Sequence, residues 1–403
     1  MCVCQVGNCI IAVMGYEEVV IRSYDAQIDR AGVEDLERRC EVGPADRVFL
    51  FTDTMGDPIC RIRNSPIYNM LVAEIGKELV GVIQGSIKLV TFHKPTMDNL
   101  ATVGYILGLR VVPIYRRKGI GLRLVRKLEE WFISNDVDYA YMATEKDNEA
   151  SVRLFMDKLG YVKFRTPAIL VNPVKHRMLL HLPSTVEIAK LNVDEAEYLY
   201  RRFMGSTEFF PADINEILRN KLSLGTWVAY PKNDHHRSWY CDDHFGSNGL
   251  PDNWAMVSVW NSGEVFKLRL GKAPLSCLLY TKSSRLMDKY LPCLKLPALP
   301  DFYDPFGFYF MYGVYWEGPS GSKLVRSLCQ VVHNMATKSK DCKVIVTEVG
   351  GSDRVRVHIP HWKLLSCPED LWCIKSMKKN QDFTKITITP QGSGGLFVDP
   401  REV

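Results

Sequence analysis

The chain has 403 residues, 46% of them hydrophobic and 24% charged, with 51 basic against 46 acidic side chains and a net charge of +5. That length and balance suit two or three globular domains with substantial cores and exclude disordered, fibrous and collagen-like classes. The mild basic excess does not point to direct nucleic-acid binding, no run reaches the ~20 apolar residues of a membrane span, and the cysteines lack C-x-x-C pairs and read as free thiols of a reducing compartment.

Residues 1–13 have no basic leading segment and only a short apolar run, so residues 1–15 are expected to be an extension rather than a signal peptide, with Met14 an alternative start and an intracellular protein implied. A strand is expected over Glu17 to Arg22. A helix follows that Asp29 caps, in which Val33, Leu36 and Cys40 share a face and which Gly43-Pro44 ends. Met70 to Glu74 and Leu79 to Ile87 read as a hairpin about Gly76, and Ala101 to Val111 as an apolar, β-branched strand.

After that strand come Tyr115-Arg116-Arg117-Lys118-Gly119-Ile120-Gly121-Leu122, and then Leu122, Val125, Leu128 and Phe132 at helical spacing, with Arg123, Arg126, Lys127 and Glu130 turned outward. The first turn of a helix carries unpaired N–H groups and the positive end of the macrodipole, so phosphates settle there. Glycines let the backbone approach an anion, and three adjacent cations favour a ligand with several phosphates, such as the pyrophosphate of coenzyme A. A Walker loop would need Lys-Ser or Lys-Thr after the last glycine, and a dinucleotide fingerprint would need G-x-G-x-x-G. Neither is present, so nucleotide hydrolysis and hydride transfer fall behind acyl transfer.

A strand over residues 139–145, a helix over 148–155 and a strand over 160–164, expected to close the sheet, complete this half. A linker is expected over 174–183. In the second half Ser184 and Asp213 mark helix starts, and 231–252 is a polar loop holding His235, His236, Cys241 and His244. Their spacing matches no zinc finger, and no metal site is expected.

Leu324-Val325-Arg326-Ser327-Leu328 repeats Leu124-Val125-Arg126-Lys127-Leu128 at an offset of 200, and Gly321 repeats Gly121. Strands expected at 308–315 and 343–348 flank it, so a second copy of the same unit is inferred. Its loop has lost the chemistry: Trp316, Glu317, Gly318 and Pro319 stand where Arg116, Arg117, Lys118 and Gly119 stand in the first. Glutamate repels phosphate and proline removes a donor. His361, Trp362 and Trp372 are assigned to the closing strands and core of this second half.

Arg116-x-x-Gly119-x-Gly121, with the later Asn148-x-Ala150-Ser151-Val152-x-Leu154-Phe155 and Leu159-Gly160-Tyr161, resembles the GNAT acetyltransferase superfamily across 16–173. The fold class expected is therefore α+β with a mixed sheet, a GNAT domain over 16–173 followed by a GNAT-like domain with a degenerate cofactor loop over 184–403. The resemblance implies acetyl-CoA as cofactor, its pyrophosphate on Arg116, Arg117, Lys118, Gly119, Ile120, Gly121 and Leu122. It implies the pantetheine arm on Leu109, Arg110 and Val111, with Asn148 at the arm. Where many members place a tyrosine that protonates the departing thiolate, this chain has Phe155, which cannot donate a proton. Tyr161 is expected to pack instead.

The strand before the loop holds no carboxylate where histone-type members place one. Glu145 at a strand end is the first candidate base. Glu41, at the end of the first helix where members bind the acceptor amine, is second, and Glu74 third.

Segments such as Glu37 to Pro44, Gly56 to Arg63, Thr207 to Pro211 and Phe397 to Glu402 are similar to the plant Hookless-type N-acetyltransferases. That resemblance implies a nuclear or nucleocytoplasmic regulator of differential growth in ethylene and auxin responses. Its acceptor would be a protein or small amine, with a histone or other protein lysine first in line. The alternative is an acetyl-CoA-binding module of weak or no activity that recruits partners.

Overall fold

A computed structural model describes residues 18–40, 50–92, 100–175, 179–232, 251–270, 302, 304–363, 365–367, 369–378 and 395–403. The extension, Glu41, Gly43-Pro44 and the His235 to His244 loop lie outside the described residues.

The first half runs β1 (Val19–Ser23), α1 (Arg30–Cys40), β2 (Leu50–Asp53), β3 (Ile67–Ile75), β4 (Glu78–Thr91), β5 (Leu100–Val111), α2 (Ile120–Ser134), β6 (Tyr139–Glu145), α3 (Glu149–Val152), β7 (Val162–Arg165) and β8 (Ala168–Pro173). The second runs β9 (Val186–Leu191), α4 (Val193–Met204), α5 (Ile214–Arg219), β10 (Ser223–Pro231), β11 (Trp254–Asn261), β12 (Lys267–Leu270), β13 (Gly307–Glu317), α6 (Gly321–Ala336), β14 (Cys342–Val349) and β15 (Asp370–Ser376). The hairpin of β3 and β4 turns at Gly76, whose φ of 62° suits glycine. Asp29 sits just before α1, but its carboxylate binds Arg22 at 2.6 Å and the amide of Asp25 at 2.8 Å, tying the helix to β1.

Two large sheets result, in the orders β1-β3-β4-β5-β6-β15-β7 and β8-β14-β13-β11-β10-β9, and a two-stranded ribbon pairs β2 with β12. Each half lends the other a strand. β15 lies antiparallel to β6, with Asp370 opposite Glu145 and Trp372 opposite Ala143, and separates β6 from β7. β8 lies antiparallel to β14, with Val349 opposite Ala168 and Val344 opposite Pro173. The boundary expected at 173 and 184 therefore divides the chain but not the sheets, β7 does not close the first sheet alone, and Trp372 belongs to the first sheet, not the second. Trp362 does stay with the second sheet, donating its amide to the Val171 carbonyl.

The helix start expected at Ser184 is absent, because that residue leads into β9. The start falls at Asn192, whose side chain accepts from the Glu195 amide while Glu195 accepts from the Asn192 amide, a reciprocal capping box. Asp213 does precede α5.

One face of the first sheet packs on α2 through Leu124, Val125, Leu128 and Phe132. The opposite face, with Val72, Val82, Val103, Tyr105 and Tyr141, meets α1 and the second half's Phe209, Phe210, Trp254 and Phe397 in one continuous core. Across that core runs a sealed ionic chain. Lys88 Nζ lies 2.7 Å from Glu402 and 3.3 Å from Asp399, and Arg401 binds Asp399 and Asp213 at 2.7 Å each. Asp399 is fully buried and Lys88 nearly so. Ions so buried hold only when paired.

Candidate active site

β5 and β6 are parallel neighbours only from Val103 opposite Tyr139 to Ile106 opposite Met142. Beyond that pair both strands continue, Leu107 to Val111 and Ala143 to Glu145, without joining, while β6 keeps β15 on its far side. The splay begins at a bulge. Gly108 has a φ of 63°, and the register against β4 shifts from Gln84 opposite Leu107 to Val82 opposite Arg110. Past the bulge the Val112 amide donates to Val80 of β4, so by strand alternation the amide and carbonyl of Val111 and Leu109 face the gap. Both carbonyls now accept from arginine side chains, Val111 from Arg116 Nε at 3.0 Å and Leu109 from Arg110 at 3.1 Å. The Arg110 guanidinium also reaches Glu37 of α1, and by the same alternation the Arg110 amide and carbonyl face β4, not the gap.

The gap opens at one end onto the basic loop. Gly119 is the N-cap of α2 in the left-handed region, φ 81°, with no side chain to cap the helix, and Arg117 is left-handed too, φ 65°. The amides of Ile120, Gly121 and Leu122 thus lack intrahelical acceptors. A Cβ added at Gly119 would touch nothing within 4 Å, and one at Gly121 only Leu154, Val111 and Leu109 at 3.7–3.9 Å. Protein packing leaves the ground above both glycines clear. Arg116, Arg117, Lys118 and Gly119 are all exposed. Lys118 Nζ stands 5.1 Å above the Tyr115 ring, whose hydroxyl donates to Glu78, and Arg117 makes no ion pair among the described residues. Loop cations and bare amides are arranged as a cradle for a multiply charged anion whose tail lies in the strand gap.

The second sheet repeats the geometry and spoils it. β13 and β14 part after Met311 opposite Thr347, and Gly313 forms the bulge with φ 58°. Over the first turn of α6, however, the indole of Trp316 lies so close to Gly321 that no Cβ could fit there.

The remaining sequence candidates scatter. Asn148 caps α3, its Oδ1 accepting from the Ser151 amide at 3.2 Å, and is exposed. Phe155 is buried in the π-helical segment Arg153–Lys158 that continues α3, edge-to-face with Tyr161 at 5.2 Å, so Tyr161 packs as expected. Glu145 is exposed at the open end of the splay. Glu74 is bound by Arg22 at 2.9 Å, beside Asp29, on a strand separated from the gap by β4.

Sequence reasoning missed the floor of the gap, where the face opposite α2 collects buried polar groups. Tyr105 and Tyr141 stack at 4.8 Å, and the Tyr141 hydroxyl donates to Glu402 at 2.6 Å. Burial pushes both phenols up. Glu348 of β14 lies beside Trp372. Burial, reinforced by the negative charges of Asp370 and Glu402 and opposed by the Trp372 indole, pushes its carboxyl up to about 8. Glu348 Oε1, Glu402 Oε1, Gln84 Oε1 and Arg61 Nε are sealed from solvent without hydrogen-bond partners. No sequence signal marks these residues as a group, since they come from β4, β14, the C-terminal turn and the segment before β3.

Among the described residues no three His, Cys, Asp or Glu side chains could hold a metal ion, and no helix is long and apolar enough to cross a membrane. The described cysteines are free, four of them buried: Cys60, Cys329, Cys342 and Cys373.

The family model of the acetyltransferase (GNAT) family matches residues 32–161. The chain is 49% identical, over 95% of its length and 99% of the relative's, to "Probable N-acetyltransferase HLS1" of Arabidopsis thaliana. It is 34% identical, over 95% and 97%, to "Acetyl transferase GW6a" of Oryza sativa subsp. japonica. Among solved structures, a Saccharomyces cerevisiae N-myristoyltransferase with bound myristoyl-CoA superposes with a TM-score of 0.52 at 11% identity, covering 88% of this chain and 78% of that one, a likeness of fold.

Proposed function

The chain belongs to the GNAT acetyltransferase family and is an N-acetyltransferase of that type, and from that premise we propose that it moves an acetyl group from acetyl-CoA to a primary amine. The observation that carries the reading is the cradle at α2, where bare amides, a left-handed N-cap glycine, clear ground above Gly121 and three exposed cations stand together. Acetyl-CoA supplies the activated thioester. Ile120, Gly121 and Leu122 hold its pyrophosphate through their amides, aided by Arg116, Arg117 and Lys118. The gap-facing backbone of Leu109 and Val111 pairs with the pantetheine arm, and an amide aimed at the carbonyl stabilises charge that develops there.

The acceptor in this reading is a histone or other protein lysine, and the physiological setting is nuclear regulation of differential growth through ethylene and auxin responses. It draws support from the near full-length likeness to the plant relatives. A second reading, an acyl-CoA-binding module that recruits partners, is favoured by one observation: Phe155 leaves no phenol to protonate the departing thiolate.

Calorimetric titration of acetyl-CoA into the wild type and into the Arg117→Glu, Gly119→Pro double variant tests the proposal. Binding by the wild type and its loss in the variant is the expected result. A folded wild type that binds no acetyl-CoA would overturn it.

A further inference from the structure

The reaction proposed above needs a group to take the proton from the attacking amine; Glu74 is held by Arg22 behind β4, and Glu145 stands exposed at the open end of the splay. β14 alternates Val344, Val346 and Glu348 toward the core between the sheets, with Ile345 and Val349 on the other side. Glu348 therefore points out of the second sheet toward the first. There it meets the indole of Trp372, and Trp372 sits opposite Ala143, the first β6 residue past the last pair with β5. The Trp372 ring lies 5.4 Å from that of Tyr141, the β6 residue that fixes the floor of the splay.

Of the buried acids at this floor, Glu402 is already engaged by Lys88 at 2.7 Å and Tyr141 at 2.6 Å. Asp370 and Glu145 face each other at the open end of the β6–β15 pair. Glu348 has no ion pair among the described residues, and its Oε1 is sealed with no hydrogen bond, although the residue as a whole is half-buried. An unsatisfied buried carboxylate oxygen calls for an explanation, and a catalytic role is one.

Resting on the acetyl-transfer reading, we propose that Glu348, lent by the half whose own cofactor loop is spoiled, is the catalytic base of the site in the first half. The amine nitrogen bonds to the thioester carbonyl carbon, and the C–S bond breaks. The proton released from nitrogen passes to the Glu348 carboxylate. Coenzyme A leaves as the thiolate and then takes that proton from the carboxylic acid, which replaces the phenol that Phe155 lacks and restores the base. The groups that act on Glu348 are Asp370 and Trp372 of β15 and Glu402, and Tyr105 of β5 is acted on by Arg61, Glu402, Glu348 and Asp370.

The test uses the full chain and the isosteric Glu348→Gln variant. Acetyl-CoA binding is followed by calorimetry, and coenzyme A thiol release is followed from pH 6 to 10 with poly-lysine, or with water alone as the nucleophile. The expected result is unchanged acetyl-CoA affinity, a rate reduced at least a hundredfold, and loss of the rise in rate that the wild type shows through about pH 8. Partial recovery in Glu348→Asp would add to that support. A Glu348→Gln enzyme that keeps the wild-type rate and pH profile overturns the assignment and leaves acetyl transfer standing. A wild type that binds no acetyl-CoA instead overturns the reading beneath it.

Discussion

The indole of Trp316 fills, against Gly321 at the first turn of α6, the ground that stays open above Gly121 at the first turn of α2. Two loops with the same place in the same unit thus differ in whether an anion can reach the helix amides. The expected consequence is a stoichiometry of one acetyl-CoA per chain. Because a Cβ at Gly121 would meet protein atoms only at ordinary contact distances, Gly121→Val is expected to leave the thermal midpoint within about 3 °C of wild type. Its branched side chain would occupy the ligand's ground, and affinity for acetyl-CoA should fall at least tenfold, or about 1.4 kcal/mol. Calorimetry and a melting curve on the same sample check both halves of this statement, and an unchanged affinity would sink it.

The exchange of β8 and β15 makes each half incomplete without the other. Residues 18–173 expressed alone lack β15, leaving the inner edges of β6 and β7 unpaired, and carry β8 with no β14 to meet. Exposed edges of this kind aggregate. We expect this fragment and the complementary 174–403 to be insoluble separately and to recover soluble, cooperatively unfolding protein when co-expressed. Solubility with a native-like circular dichroism spectrum for 18–173 on its own would contradict the exchange.

The loop, the Gly76 hairpin and α2 were legible because each is written locally, in glycine placement and helical spacing. The strand exchange was not, since Asp370-Leu371-Trp372-Cys373-Ile374 is a plausible strand for either sheet and nothing local says which edge it joins. The floor of the site was hidden for a related reason. Lys88, between Ile87 and Leu89, reads as a solvated strand position, and only the return of the C-terminal turn from the far end of the chain buries it against Asp399 and Glu402.

That ionic chain predicts a large effect at one residue. Lys88→Met removes the only cation that the described structure places on Glu402 and leaves Asp399 to Arg401 alone. Breaking a buried pair from one side costs about 3–5 kcal/mol, because the partner charge stays desolvated. Urea unfolding of the variant at pH 7 should show a loss of that size. A loss below about 1 kcal/mol would mean that the pair is solvated as surface pairs are.

Two carboxyls at the same floor give stability a pH dependence of opposite sign to that of an ordinary salt bridge. Burial holds Asp370 up to about 6 and Glu348 up to about 8. Both sit above the carboxylate values of about 4 that an unfolded chain shows, so between those limits the folded protein binds more protons than the unfolded one. Stability then falls as pH rises. The Asp370 contribution is lost between about pH 4 and 6, and that of Glu348 continues to fall to about pH 8, beyond which its full cost is present. Glu348→Gln mimics the neutral acid and cannot ionise. Its melting temperature should match wild type near pH 4 or below, exceed it increasingly up to about pH 8 and keep that lead to pH 9, in the same variant whose transfer activity is expected to be lost. A merely structural glutamate paired with a cation would do the reverse, with the amide variant least stable at high pH, so parallel melting curves of the two proteins across that range separate a buried base from a surface ion pair.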